Sequence, residues 1–101
     1  MKEDYYKWRE RPQREITVDL TSGGDEGFHA AIREALGFPM YYGRNWDAYW
    51  DLIQVFCDDC PEGKTIVFRG IETLDAWNAE RLYTVSGWAE EIFPNVHFIF
   101  Q

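Results

Sequence analysis

Asp47 and Asp51 stand four residues apart in a stretch whose apolar residues recur at helical spacing. Two carboxylates therefore lie one turn apart, with no cation on their face. Paired carboxylates can do acid–base work, as in glycoside hydrolysis, or can take an arginine, lysine or histidine from outside. The first chemistry needs a concave site and one raised pKa. Two acids on an exposed helix, in a 101-residue chain with no cleft-forming insertion, do not supply it. The second needs only exposure. A plainer reading is a solvated helix face, because like charges so placed are only mildly destabilising.

Cys57-Asp58-Asp59-Cys60 has the C-x-x-C spacing of redox motifs. A redox cysteine needs a helix N-terminus or a cation to lower its thiol pKa. This pair falls at a helix C-terminus with two carboxylates between, which opposes thiolate formation. A closed zinc site takes four ligands, and His29 and His97 fall in separate elements. No metal or cofactor is expected. Cys57 is expected in the core and Cys60 at the surface, with both histidines structural rather than catalytic.

The elements that must position these residues follow from periodicity. Residues 15–20 alternate polar and apolar and read as a first strand; residues 64–68 and 96–100 read as two more. Gly24-Asp25 offers a start for a first helix carrying Phe28, Ala31, Ile32, Ala35 and Leu36, which Gly37 ends. Asn45 is an N-cap for a second helix reaching about Cys57. At ~100° per residue, Trp46, Tyr49, Leu52, Ile53, Phe56 and Cys57 face the core. Asp47, Asp51, Gln54 and Asp58 face outward, with Trp50 at the border. Residues 70–78 read as a loop with at most one helical turn, and residues 79–92 as a last helix. Strands separated by helices pair in parallel. The expected fold is α/β: a small three-stranded parallel sheet covered by helices, in one domain over residues 15–101.

Residues 1–14 form an arm that mixes charges with Tyr5, Tyr6 and Trp8 and ends in Arg11-Pro12-Gln13-Arg14. Pro12 and the charge density favour a mobile or surface-docked segment, whereas three bare aromatics favour one packed on the domain. The arm has five bases and three acids. Residues 15–101 have five bases and fifteen acids, net −10, within a chain of net −8. Such a domain repels nucleic acid and anionic membrane and attracts basic partners. With no apolar h-region at the start and no membrane-spanning run, a cytoplasmic protein, monomeric when free, is expected.

The loop Tyr41-Tyr42-Gly43 brings aromatic rings to the acidic face, a composition suited to capturing basic side chains. Residues 41–51, YYGRNWDAYWD, closely resemble the YYGxNxDAxWD signature of barstar-family ribonuclease inhibitors, with Gly37-Phe38-Pro39 before them. The resemblance covers roughly residues 15–101. It implies a non-enzymatic inhibitor that plugs the active site of a small, basic, guanyl-preferring ribonuclease. On that pattern Asp51 mimics a phosphate among active-site arginines and the catalytic histidine, and Tyr41 packs on that histidine. Asp47 pairs with a further arginine, Gly43 and Asn45 let the loop approach closely, and Trp50 flanks the contact.

Three positions depart from the family pattern. Arg44 replaces a residue often acidic, Gln54 one often a small hydroxyl residue, and Phe56 one often tryptophan. Each is a candidate contact that shifts the choice of nuclease. Glu90 or Glu91 would supply a further acidic contact from the last helix. The alternatives are a barstar-like module or immunity protein for a different basic protein or toxin and, more remotely, a C-x-x-C oxidoreductase.

Overall fold

The computed structural model describes residues 6–101. Strands β1 (Glu15–Asp19), β2 (Lys64–Arg69) and β3 (Val96–Phe100) form one parallel sheet in the order β1-β2-β3. The register pairs Ile16 with Ile66 and Ile66 with Phe98, so like faces align across all three strands. In β1 the buried Ile16 and Val18 alternate with exposed neighbours, whereas Ile66, Val67 and Phe68 are consecutive and buried in central β2. A strand covered on both faces loses the alternation that an edge strand keeps.

Helices α1 (Phe28–Leu36), α2 (Trp46–Asp58) and α3 (Ala76–Ile92) complete the domain. Residues Gly24–Glu26 make a separate 3₁₀ turn, so α1 begins later than Gly24-Asp25. Gly27 sits between them at φ +90°, a conformation that breaks helical continuity and that side chains disfavour. A second 3₁₀ turn covers Ile71–Thr73, the one helical turn expected there. α3 starts three residues before the apolar repeat, because Asp75 caps it by accepting from the Asn78 N–H at 2.8 Å. That first turn is largely exposed, so apolar periodicity could not reveal it.

The core does not stop at residue 15. Trp8, in a 3₁₀ turn over Lys7–Glu10, is buried and packs edge-on against Phe38 and Phe56 at 5.9 and 5.2 Å. Gly37 makes this possible in two ways. It ends α1 in the left-handed region at φ +73°, and a Cβ there would stand 2.7 Å from the Trp8 backbone nitrogen. The Lys7 N–H donates to the Gly37 carbonyl, and Arg11 donates to the Glu34 and Ala35 carbonyls at the C-terminus of α1. Dividing the chain at residue 14 therefore cuts through a continuous core, and Trp8 and Tyr6 take the packed rather than the mobile arrangement. Tyr5 lies outside the described residues.

Candidate functional site

The loop before α2 is built around Asn45. Its Oδ1 accepts from the Ala48 N–H at 2.8 Å as the N-cap, and its Nδ2 donates to the Gly43 carbonyl at 3.1 Å. A Cβ on Gly43 would crowd that amide at 3.2 Å, so glycine lets the loop close on the helix end. Arg44 between them adopts φ +56°, the left-handed region that non-glycine residues seldom occupy. Its guanidinium meets Glu26 at 3.3 Å in an exposed pair.

The two tyrosines of this loop part company. Tyr41 is 59% exposed, with its hydroxyl 3.5 Å from that of Tyr6. Tyr42 is buried, and its hydroxyl lies 2.6 Å from His29 Nδ1. Burial, aided by the Arg44 charge, pushes the His29 pKa down to about 4, so the ring is neutral at pH 7. His29 thus supports the loop from below. Tyr42 does not join the aromatic surface.

All six residues assigned to the inner face of α2 are buried. Tyr49 shares a buried hydrogen bond with Ser86 at 2.8 Å, and Trp46 Nε1 donates to Asn78 Oδ1, which fixes α2 against α3. With that face locked, Asp47, Asp51 and Asp58 stand exposed on the other, while Gln54 and Trp50 are half-buried. Asp47 lies in the first turn, where the helix dipole favours a carboxylate. Asp51 has no hydrogen bond or ion pair among the described residues, and neither Arg33 nor Arg44 reaches it. Gln54 Nε2 donates to the Trp50 carbonyl at 3.2 Å. Trp50 meets the half-exposed Trp88 of α3 edge-on at 5.5 Å.

Three expectations need correction or division. Phe56 is fully buried on the core side of α2, beneath Trp8, and cannot touch a partner. Cys60 is buried like Cys57, not a surface thiol. Burial raises the Cys57 pKa to about 12 and also raises that of Cys60, opposite to the shift a redox cysteine requires. Glu90 and Glu91 also differ: Glu90 pairs with His97 at 3.2 Å, whereas Glu91 is exposed. Among the described residues, no three His, Cys, Asp or Glu are grouped to hold a metal. No helix among them is long and apolar enough to cross a membrane.

The structure thus gathers Tyr41, Gly43, Asn45, Asp47, Asp51 and Gln54 along one loop and one helix face, flanked by Trp50. Reading the sequence passed over two neighbours of that surface, Tyr6 and Trp88. Tyr6 had only its aromatic type as a signal. Trp88 falls within residues 79–92, whose periodicity marked a helix and not a binding surface. Among known families, the one described as "Barstar (barnase inhibitor)" matches residues 13–93. No curated protein matches the chain.

Proposed function

Because the chain belongs to the barstar family, we propose that it inhibits a small, basic, guanyl-preferring ribonuclease by filling its active site with the first turns of α2 and the preceding loop. At family level it is a barnase-inhibitor-like protein whose partner is a ribonuclease, and members of this family are inhibitors rather than enzymes. The observation that carries the finer reading is Asp51. It is an exposed carboxylate without a partner among the described residues, one turn from Asp47, on a helix whose opposite face is immobilised in the core.

An active site built to clamp phosphate presents arginines, and a carboxylate accepts their paired N–H groups in short, charge-assisted bonds. In this reading Asp51 takes the phosphate's place and Asp47 pairs with a neighbouring arginine. Tyr41 packs against the catalytic imidazole, Trp50 and Gln54 flank the contact, and Gly43 and Asn45 hold the loop. Preorganisation supports these roles. The N-cap and the buried contacts of α2 fix the carboxylates before binding, so little ordering entropy remains to be lost. The net charge of −8 would steer a cationic nuclease toward this surface. Arg44, held by Glu26 beside Asp47, adds one cation to an otherwise acidic rim and would disfavour a nuclease with a further base there. Glu91, on the side of α3 that carries Trp88, is the better candidate than Glu90 for an added acidic contact. We place the protein in the cytoplasm as a monomer when free.

The test is inhibition of barnase, the nuclease in the family's description, by the purified protein. Stoichiometric inhibition that is relieved by raising salt is expected. Capture of a basic protein that is not a ribonuclease, with barnase left fully active, would instead make the chain a barstar-like module for another target.

A further inference from the structure

Residues 6–12 lie outside the matched family region, yet they reach the candidate site. On α2, Ala48, Asp51, Leu52 and Val55 recur at i, i+3, i+4 and i+7 and line one side of a groove. Tyr6 and Tyr41 line the other, with their hydroxyls 3.5 Å apart. Tyr6 is not loosely placed. It stacks on Trp8 at 4.6 Å with 12° between the rings, and the Arg9 guanidinium lies 5.0 Å from its centroid. Trp8 in turn donates to Asp59 at 2.8 Å and sits in the core. Two bases of the segment are spent on anchoring it, Arg9 on Asp59 and Arg11 on the carbonyls ending α1. The segment therefore delivers an aromatic ring to the groove while those two cations stay with the domain.

From this arrangement we propose that the N-terminal segment is part of the inhibitory surface: Tyr6, Tyr41 and Asp51 form a groove that receives an arginine side chain of the ribonuclease. The groove's chemistry selects that occupant. The aliphatic stripe of Ala48, Leu52 and Val55 suits the methylene stem, while the Asp51 carboxylate and the tyrosine oxygens are acceptors for guanidinium donors. An anion would meet Asp51 unfavourably, and a wholly apolar side chain would desolvate that carboxylate without compensation. The groove continues the acidic face already assigned to the partner, and the proposal rests on that assignment.

Inhibition constants for barnase should be measured for the wild type, Tyr6→Ala, Tyr6→Phe and Asp51→Ala, with denaturant midpoints alongside. Tyr6→Ala should weaken inhibition about tenfold or more, as loss of an anchoring aromatic does at an interface. Tyr6→Phe, which keeps the stack on Trp8 and hence the fold, should weaken it by about threefold. If both Tyr6 variants stay within about twofold of wild type while Asp51→Ala loses inhibition, the segment only packs and the inference is overturned. If wild type and Asp51→Ala both fail to inhibit, the assigned function fails and takes the groove's partner with it. Self-association that Tyr6→Ala abolishes would replace the occupant with a second copy of the chain and overturn the inference.

Discussion

Along α2 the same side chain is found in opposite employment. In the second turn, Asp51 is exposed and meets no donor among the described residues. Just past the end, Asp59 accepts from the Trp8 indole at 2.8 Å and from Arg9 at 2.7 Å. Burial works against the Asp59 carboxylate, but these donors outweigh it and hold its pKa below the ordinary value. One aspartate is bound into the fold, fastening a segment fifty residues away; the other spends none of its hydrogen-bonding capacity on the described residues. A carboxylate committed internally stabilises the native state, whereas an uncommitted one on a rigid helix can give its bonding free energy to a partner.

That contrast can be broken by paired substitutions. Asp51→Ala should produce the largest change, weakening inhibition by about 2–5 kcal/mol because the nuclease's arginines are left desolvated and unpaired. Its denaturant midpoint should move little, by no more than about 0.5 kcal/mol in stability, as for other surface sites. A large loss of stability in this variant would mean that Asp51 has an internal role.

Asp59→Ala should reverse the pattern. Losing the acceptor of the part-buried indole should lower stability by about 1–3 kcal/mol, measured by denaturant unfolding. Inhibition should fall no further than in Tyr6→Ala, since the binding helix itself is untouched. The pH dependence sharpens this. A carboxyl group whose folded pKa lies below its unfolded value contributes stability above about pH 4, and that stability is lost as pH falls through the lowered value. Asp59→Asn should therefore lose less stability than wild type when acidified through that range.

His29 supplies an effect in a different pH window. Its pKa falls from 6.5 in the unfolded chain to about 4 in the fold, so the unfolded state binds the extra proton between those values. Stability should rise with pH from about 4 to 6.5 and level off above it. His29→Gln should flatten that slope in unfolding curves taken at several pH values. Asp58→Ala should do least. Asp58 shares the outward face but lies two turns beyond Asp51, away from the loop, so inhibition should change by about twofold or less. An Asp58 effect equal to that of Asp51 would turn a localised site into a general acidic field.

Much of this was readable from residue order because it depends on near neighbours. The outward and inward faces of α2 follow from a 3.6-residue repeat, and every residue assigned to the inner face is buried. Asn45 as cap, Gly37 as stop and the three parallel strands are likewise matters of local pattern and connection length. The binding roles of the loop and helix rest on resemblance to a family and on exposure.

What residue order could not decide were choices between chemically equivalent neighbours and contacts across long separations. Tyr41 and Tyr42 are adjacent and identical, yet only Tyr42 has His29 within reach beneath it. Cys60 follows a helix end and reads as surface, but the packing around it buries it. Trp8 reads as part of a charged arm until Asp59, Phe38 and Phe56 stand beside it. Sequence alone determined which faces each element would offer, because backbone geometry repeats every few residues. Only the tertiary structure decided which polar and aromatic groups would meet, since partners such as Trp8 and Asp59 lie 51 residues apart and leave no local signature.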